Sequence, residues 1–389
     1  MRVAIIGGKL QGVEATYLAK KAGWEVVLFD RREQAQATGI ADMFYCLDIL
    51  TSMEAVITRL SGIDLILPAI EDTEVLQALV EISIITKIPL AFDADAYAVS
   101  SSKRISNQLF SDLEIPAPHP WPECQFPLLI KPSGQSGSEG VRVIHTKEEL
   151  NNICSQKSDL DWIIEEYLEG PSYSIEVFGF DGKYRVFQVT ETEMDEAHDC
   201  KRVLSPAALD YRLIGQFEEI ALRVASRLSL HGIMDVEAIL QNGKLKVLEI
   251  DARIPSQTPT AVYHSSGINM IECLGYSFVQ GSLYIPIPKR PVPHERYVIY
   301  EHCQVTSEKI EVSGEHILAK AGPLRLVTDF FGADEVLTDY IPGKKEWVLT
   351  LITRGSSPEN AWDKRDTVLQ RIQLAFNIPE VVDPYPPNA

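Results

Sequence analysis

The sequence predicts an α/β domain with a parallel sheet at the amino terminus, followed by α+β structure. In the first hundred residues, runs rich in β-branched residues alternate with helical segments of about ten residues, a pattern typical of right-handed βαβ units. From Phe126 onward, strand-like runs are separated by loops rich in glycine and serine. The pair Asn242-Gly243 between two apolar runs indicates a β-hairpin.

The amino-terminal part is predicted to contain three βα units. Strands are expected at 3–6, 25–30 and 64–68, a short apolar patch at 44–46, and helices at 11–22, 53–60 and 73–81. Ligands of parallel sheets bind beyond the carboxyl ends of the strands. We therefore expect ligand contacts at 7–12 and 69–72.

The later elements are predicted from local signals. Two serines suit the start of a helix at 101–113, and four prolines between 116 and 122 predict a stiff linker. Strands are expected at 128–131, 141–144, 162–165, 173–180, 184–191, 233–240 and 244–250, and helices at 146–154, 209–228 and 361–376. Short strands are expected after residue 290, and residues 384–389 are expected to be a disordered tail.

The composition indicates a cytoplasmic globular protein. The 389 residues include 36 basic and 55 acidic side chains, a net charge of −19, which disfavours a nucleic-acid partner. The six cysteines contain no C-x-x-C pair, which argues against a disulfide framework and a structural zinc site. Since no apolar run reaches the length of a membrane span, no membrane partner is expected.

The glycine-rich turn at 7–12 invites a dinucleotide-binding interpretation, because it follows a strand and opens a helix. The dinucleotide fingerprint requires a glycine where this chain has Lys9. Two other interpretations stay open. The turn is either a tight βα connection, or a ligand-binding turn whose Lys9 side chain and backbone amides meet a different anion.

A second glycine-rich loop follows a predicted strand that ends in Lys131. Its ammonium group can meet a phosphate held by the loop at 132–140, where Ser133, Ser136, Ser138 and three glycines allow backbone amides to fold over a polyphosphate. The loop is not a Walker motif, because no Gly-Lys-Ser/Thr triplet opens a helix. A flexible surface loop is the alternative interpretation.

An adenine-binding hinge is predicted where the next strand ends. Glu165, Glu166, Tyr167 and Leu168 form an acidic strand end that runs into an apolar pair. Backbone groups of such a segment can read the edge of the adenine ring, with Leu168 packing beside it. A charged, solvated strand end is the alternative.

The most informative pattern is a set of carboxylates on the predicted hairpin. Side chains alternate along a strand, so Glu249, Asp251 and Arg253 share one face, and Glu237 across the hairpin can point to the same face. Converging carboxylates repel each other unless a cation lies between them, and oxygen ligands without histidine or cysteine indicate Mg²⁺. Arg253 suits the charge of a transferring phosphoryl group.

In this order along the chain, the phosphate-binding, hinge and carboxylate motifs resemble the ATP-grasp superfamily. The resemblance covers residues 1 to about 330, and it implies a Rossmann-like preATP-grasp domain followed by two α+β subdomains that clasp ATP. The implied domains are 1–97, 98–170 with the glycine- and serine-rich loop, and 171–389 with the metal site and a small carboxyl-terminal extension. The resemblance implies that Lys103 and Lys131 are the phosphate-binding lysines and that Glu237 and Glu249 are the paired metal ligands. Asp251 stands where most members have asparagine, and it would be a third metal ligand.

Within the superfamily, the turn Lys9-Leu10-Gln11 and the stretch from Pro255 to Pro259 resemble the amino-acid ligases of pyrrolysine biosynthesis. This resemblance implies an ADP-forming joining of the carboxyl of 3-methyl-D-ornithine, or D-ornithine, to the ε-amine of L-lysine. It further implies ATP as co-substrate, two Mg²⁺ ions for which Mn²⁺ can substitute, and a homodimer as one allowed assembly. The acyl-phosphate intermediate must be kept from water, which suggests a lid built from the loop at 132–140.

The two amino-acid pockets need acidic side chains for the substrate ammonium groups. For lysine we expect Leu10, Gln11, Glu71 and Asp72, although Glu71 and Asp72 could instead cap the helix at 73–81. For the ornithine-like donor we expect contacts from Glu176, Asp235, Arg253, Ser256, Gln257 and Thr258.

Three other functions compete with this interpretation. Another ATP-grasp carboxylate–amine ligase, similar to carbamoyl-phosphate synthase or D-alanine–D-alanine ligase, is the nearest. A nucleotide-binding sensor without catalysis is disfavoured because Lys131, Glu237, Glu249 and Arg253 are present together. A dehydrogenase is the most distant.

Overall fold

The computed structural model describes residues 1–134, 140–156, 161–286 and 296–383. Its amino-terminal part is a parallel sheet with the strand order β3-β2-β1-β4. The elements of this part are β1 (Arg2–Ile6), α1 (Leu10–Lys21), β2 (Glu25–Asp30), β3 (Met43–Cys46), α2 (Met53–Arg59), β4 (Leu65–Pro68), α3 (Thr73–Thr86), α4 (Ala94–Ser100) and α5 (Lys103–Asp112). The predicted α/β class of this part is confirmed.

Two helices differ from the prediction. Helix α3 continues to Thr86, and a separate helix α4 precedes α5. The Asp93 side chain accepts a hydrogen bond from the backbone of Ala96 and starts α4, while Ser102 accepts from Ile105 and starts α5. Asp93 and Ser102 therefore start two helices, of which the sequence analysis predicted only the second, at 101–113.

The next part is a small antiparallel sheet with the order β6-β5-β7. Its elements are β5 (Leu128–Pro132), β6 (Arg142–Ile144), α6 (Lys147–Gln156) and β7 (Trp162–Glu166). Most of the glycine- and serine-rich loop, 135–139, lies outside the described residues.

The remaining chain forms a large sheet, of which twelve strands belong to the described ranges. Its main path is β13-β12-β8-β10-β11-β14-β18-β17-β16, with β9, β15 and β19 attached at its sides. The elements are β8 (Ser172–Phe180), β9 (Lys183–Val186), β10 (Thr190–Met194), β11 (Cys200–Ser205), α7 (Tyr211–Leu228), β12 (Gly232–Gln241), β13 (Lys244–Asp251), α8 (Thr258–Ser266), α9 (Met270–Gln280), β14 (Tyr297–Val305), β15 (Lys309–Val312), β16 (Arg325–Thr328), β17 (Glu335–Thr338), β18 (Trp347–Gly355), α10 (Pro358–Phe376) and β19 (Glu380–Val382).

Two strand predictions in this part are wrong. The single strand expected at 184–191 is divided into β9 and β10, because the chain leaves the regular ladder opposite Glu176, where Phe187 donates a backbone hydrogen bond to the Glu176 carbonyl. After residue 290 the strands are not all short, since β14 and β18 have nine residues each. The expected tail at 384–389 lies outside the described residues.

The largest hydrophobic cluster joins the first sheet to the third. Side chains of β1, β2 and α1 share it with α8, α9 and β14. Tyr17 of α1 extends this contact, because its hydroxyl lies 2.6 Å from His264 Nε2 and donates to Glu335 Oε2 at 2.7 Å. This packing brings the carboxyl ends of β1 and β4 close to the end of β13. None of the helices in the described ranges combines the length and the apolar character that a membrane span requires.

Candidate active site

Five acidic side chains form two rows across the neighbouring strands β8, β12 and β13. In the first row Glu176 is paired with Asp235, which is paired with Asp251. In the second row Glu237 is paired with Glu249, with Ser174 on its other side. The rows are two residues apart, so all of these side chains leave the same face of the sheet.

A β-bulge in β13 decides which face the carboxylates occupy. Val247 is paired with Ala238 and Glu249 with Glu237, so Leu248 is an extra residue. Leu245 and Val247 before the bulge, and Ile250 and Ala252 after it, all lie in one hydrophobic cluster. Without the bulge, strict alternation would direct Glu249 and Asp251 into that cluster.

The carboxylate rows are short of positive charge. Glu176 and Asp235 are buried, and Glu176 Oε2 and Asp235 Oδ1 have no hydrogen-bond partner among the described residues. Burial raises the pKa of Glu176 to about 7. Burial and the neighbouring carboxylates also raise the pKa values of Asp235 and Glu237. Such a site favours a bound cation, because its positive charge would offset both the burial of the carboxylates and their mutual repulsion.

Two lysines approach the rows from the side of the small sheet. Lys103 Nζ lies 3.3 Å from Glu249 Oε2, and Lys131 Nζ lies 2.6 Å from Glu165 Oε1. Burial opposes ionisation of Glu249, yet Lys103 and Lys131 outweigh it and hold the pKa of Glu249 below its usual value. Glu249 is thus the best neutralised of the five carboxylates.

Arg253 connects the carboxylate rows to the amino-terminal sheet. Its Nη2 lies 2.7 Å from Asp251 Oδ2, and its Nε lies 2.9 Å from Glu71 Oε1. Gln11 Nε2 donates to the same Glu71 oxygen at 2.8 Å. A single guanidinium group therefore joins the end of β13 to the loop after β4 and, through Glu71, to α1.

A cavity of about 500 Å³ opens beside Arg253. Its lining includes the residues predicted for the lysine pocket and further charged or polar groups. These are Lys9, Leu10, Gln11, Asp30, Asp48, Glu71, Asp72, Arg253, Ser256 and Glu315. The capping alternative holds for one of them, since Asp72 Oδ1 accepts hydrogen bonds from the backbone of Glu74 and Val75 and starts α3.

The sequence of this chain is similar to those of known ATP-grasp proteins. The family profile of the ATP-grasp domain matches residues 100–257, and the profile "PylC-like, N-terminal domain" matches residues 3–88. The 3-methyl-D-ornithine–L-lysine ligase of Methanosarcina mazei is 40% identical over 82% of this chain and 82% of its own length. The ligase of the same name from Methanosarcina acetivorans is 36% identical over 96% of this chain and 98% of its own length.

The chain belongs to the 3-methyl-D-ornithine–L-lysine ligase family of ATP-grasp enzymes. It is an ATP-dependent ligase that joins a carboxylate to an amine. Enzymes of this superfamily use ATP with Mg²⁺.

Solved structures agree on the fold. The biotin carboxylase domain of 2-oxoglutarate carboxylase from Hydrogenobacter thermophilus, a structure with MgADP, has a TM-score of 0.73 at 14% identity and covers 95% of this chain and 89% of its own. The L-amino acid ligase from Bacillus licheniformis has a TM-score of 0.67 at 16% identity and covers 94% of this chain and 96% of its own. The predicted fold, a preATP-grasp domain followed by an ATP-grasp fold, is confirmed.

In the ligase, the glycine turn after β1 makes close contacts with the loop after β4 and with Asp30. Gly7 has φ +102°, and a Cβ there would overlap the carbonyl oxygen of Ala69. Asp30 Oδ2 accepts a hydrogen bond from the backbone of Gly8 at 2.7 Å, and both Asp30 oxygens also accept from the Arg32 side chain. These contacts favour the tight-turn interpretation over a dinucleotide site, because the acid that would bind a ribose already has partners.

The hinge residues of the ligase are also engaged within the protein. Glu165 pairs with Lys131, while Glu166 Oε2 accepts from Lys246 Nζ at 2.6 Å and from the backbone of His119 at 3.3 Å. Leu168 is buried. The positions of the two glutamate side chains are therefore explained by partners within the protein. The backbone of the segment remains the part suited to reading the edge of the adenine ring.

The serines predicted to bind phosphate have different outcomes. Ser133 is buried, and its Oγ accepts a hydrogen bond from the backbone of Arg104 at 3.3 Å. Ser136 and Ser138 lie outside the described residues. Lys9 lines the cavity beside Arg253.

The loop before α8 borders both the carboxylate rows and the cavity. Gln257 has the unusual backbone angle φ +76°, and Ser256 lines the cavity while Thr258 begins α8. Glu14 of α1 stabilises this loop, because its Oε1 accepts a hydrogen bond from the backbone of Thr260 at 2.6 Å. This contact supplies a hydrogen-bond acceptor from another element to the start of α8.

The sequence analysis did not single out Glu14 or Glu315. Glu14 is a buried acid inside a helix whose neighbours are small or apolar, so a burial argument could have found it. Glu315 begins a short 3₁₀ segment far along the chain, and no local signal in the sequence marks it.

Proposed function

We propose that this ligase joins the carboxyl group of 3-methyl-D-ornithine, or D-ornithine, to the ε-amine of L-lysine in pyrrolysine biosynthesis, with release of ADP and phosphate. The double row of carboxylates beside an acid-lined cavity carries the proposal. Two diamino acids bring four ammonium groups and two carboxylates, so their site requires an excess of acidic side chains. The similarity to the Methanosarcina enzymes supports the same substrates.

The proposed ATP site lies between the small sheet and β13. Lys103 and Lys131 would contact the phosphates together with Ser133, Ser136 and Ser138, and Lys9 would reach the same region from the cavity wall. The segment Glu165–Leu168 would hold adenine. The domains 1–97, 98–170 and 171–389 belong to this proposal, with ATP between the second and third.

The proposed metal site consists of Glu237, Glu249 and Asp251, and we propose two Mg²⁺ ions, for which Mn²⁺ can substitute. The residues fit this group because oxygen ligands dominate, and because mutual repulsion of the carboxylates raises the pKa of Glu237 in addition to burial. When bound, Mg²⁺ supplies positive charge that offsets the charge of the ATP phosphates.

The proposed donor site uses Glu176 and Asp235 as partners of the ornithine ammonium groups. Both carboxylates are buried, and each has an oxygen without a hydrogen-bond partner among the described residues. Arg253 and the backbone of Ser256, Gln257 and Thr258 would contact the carboxyl group that is activated. The proposed lysine site consists of Leu10, Gln11 and Glu71 on the opposite wall of the cavity. Asp72, which the sequence analysis also assigned to this site, caps α3 instead.

The chemistry has two steps. The donor carboxylate attacks the γ-phosphorus of ATP, which forms an acyl phosphate and releases ADP. The neutral ε-amine of lysine then attacks the acyl carbon, and the C–O bond to phosphate breaks as the amide forms. Arg253 and Lys131 stabilise negative charge that develops on the carboxyl and phosphoryl oxygens, the role assigned to them as catalytic residues.

The test is a product assay with the purified chain. ADP and phosphate should be released at an appreciable rate only when ATP, D-ornithine or its 3-methyl derivative, and L-lysine are all present. Mass spectrometry should find one amide that links the ornithine carboxyl to the lysine ε-nitrogen. Release of AMP, or turnover with other amino-acid pairs but not this one, would contradict the proposal.

A further inference from the structure

We propose that Glu315 is a catalytic residue that binds the ε-ammonium group of the acceptor lysine and takes up its proton before the amine attacks. The inference rests on the proposed function and extends it to the step that makes the amine nucleophilic. Glu315 lies outside both segments matched by the family profiles, residues 3–88 and 100–257.

The position of Glu315 places it where the two substrates must meet. It lines the 500 Å³ cavity together with Arg253 and Ser256, which border the proposed donor carboxyl, and with Gln11 and Glu71 on the lysine side. The attacking nitrogen has to pass between these walls. A carboxylate at this point is therefore within reach of the reacting amine.

Glu315 differs from the other acids in the cavity wall. Asp30 and Glu71 are paired with arginine side chains, and Asp48 and Asp72 accept hydrogen bonds from backbone amides at the starts of turns or helices. Glu315 Oε2 instead accepts a hydrogen bond from the neutral side chain of Gln257 at 2.9 Å. The side chains that form hydrogen bonds with Glu315, Gln257 and Ser256, are both uncharged.

The backbone on both sides of Glu315 is held in place. Gly314 donates a backbone hydrogen bond to Asp195 Oδ2 at 2.9 Å, and His316 donates one to Asp199 Oδ2 at 2.8 Å. A Cβ at position 314 would overlap the Asp199 carboxylate, so glycine allows this approach. Asp195 and Asp199 thus fix the start of the segment, and Glu315 is directed to the cavity before substrate binds.

The surroundings of Glu315 favour proton uptake. Burial raises its pKa, and Asp199 adds to the effect, while Arg253 opposes it. The Cys200 thiol and the Tyr300 hydroxyl also interact with Glu315. A carboxyl group that holds its proton more strongly than usual is the better acceptor for an ammonium proton.

The proposed step moves one proton to Glu315 and exchanges a C–O bond for a C–N bond. The ε-ammonium group gives one proton to the Glu315 carboxylate and becomes a neutral amine. The amine nitrogen forms a bond to the acyl carbon, and the bond from that carbon to the phosphate oxygen breaks. The second nitrogen proton leaves with the phosphate, the third stays on the amide, and Glu315 returns its proton to water after product release.

The test compares lysine with a nucleophile that needs no base. Hydroxylamine is largely uncharged at neutral pH and captures acyl phosphates as hydroxamates. We expect Glu315→Gln, which preserves shape and can still accept from Gln257, to lower lysine-dependent amide formation at least ~10²-fold while hydroxamate formation from D-ornithine is retained. The matched control is Glu311→Gln, since Glu311 lies in β15 and pairs with Lys309, and it should leave both rates unchanged.

The pH profile gives a second readout. Without a base, the reaction depends on the small fraction of lysine that is neutral in solution, so kcat/KM for lysine in Glu315→Gln should rise about tenfold per pH unit between pH 7 and 9. The wild-type profile should be much flatter. Equal losses with lysine and hydroxylamine, or a variant as active as the wild type with lysine, would overturn the inference. A wild-type chain that forms neither hydroxamate nor amide would instead refute the proposed function.

Discussion

Replacement of Lys131 tests the proposed phosphate site and a buried ion pair at the same time. The Lys131 and Glu165 side chains are 6% and 2% exposed, and their charged atoms are 2.6 Å apart. Lys131→Met leaves the Glu165 carboxylate buried without its cation, and the loss of one partner of a buried pair costs about 3–5 kcal/mol. We expect the lower end of this range, because Asn107 still donates to Glu165 Oε2 and the carboxyl group can take up a proton.

A double variant separates stability from catalysis. In Lys131→Met with Glu165→Gln the buried charge is gone, so most of the free energy of unfolding should return. Turnover should stay at least ~10²-fold below the wild type in both variants, since a cation that stabilises developing charge contributes about that factor.

Urea unfolding and ADP release at saturating ATP measure the two effects. The matched control is Lys364→Met, which breaks the more exposed pair with Asp334 and should cost less than about 1 kcal/mol. The reasoning would be refuted by a single variant as stable as the wild type, or by recovery of turnover in the double variant.

Four further substitutions give distinct readouts. Glu249→Gln should abolish the Mg²⁺-dependent rate while nucleotide binding measured by calorimetry is partly retained, because it removes a proposed oxygen ligand; an unchanged Mg²⁺ titration would contradict this assignment. Glu71→Ala should raise KM for lysine at least ~10-fold with little change in KM for ATP, since charged hydrogen bonds are worth about 1.5–3 kcal/mol. Asp72→Ala should mainly lower the melting temperature, because it removes a helix cap. The opposite pattern of effects would exchange the two roles. Burial raises the pKa of Glu14 to about 8, so the folded chain binds this proton more tightly than the unfolded chain, and the wild type should lose stability as the pH rises from about 5 to 8. Glu14→Gln should therefore flatten the pH dependence of the free energy of unfolding in this range. Parallel stability profiles for the variant and the wild type would exclude this contribution.

Local signals were sufficient for much of the fold. Asn242 and Gly243 both have positive φ, 51° and 75°, as a two-residue hairpin turn requires, and the hairpin formed where the sequence indicated it. The parallel sheet followed from the alternation of strands and helices. These features depend on residues that are neighbours along the chain, so the sequence alone can encode them.

The candidate site could be predicted only in part, because only some of its residues are close to one another along the chain. The sequence placed Glu249, Asp251 and Arg253 on one face, and it placed Glu237 across the hairpin, because these positions are related by strand geometry. It also left open whether Asp72 caps a helix, which the hydrogen bonds to α3 now show. It offered no reason to connect Glu315 with any of them.

What the sequence determined by itself is the order of the elements and the kinds of side chain that end each strand. Tertiary structure decided which of those side chains meet. The bulge at Leu248, where β13 shifts its register against β12, turns Glu249 and Asp251 away from the hydrophobic cluster. Arg253 reaches Glu71 only because the first sheet packs against the third. Alternation is a property of one strand, whereas register and packing depend on distant partners, so no local pattern could have specified them.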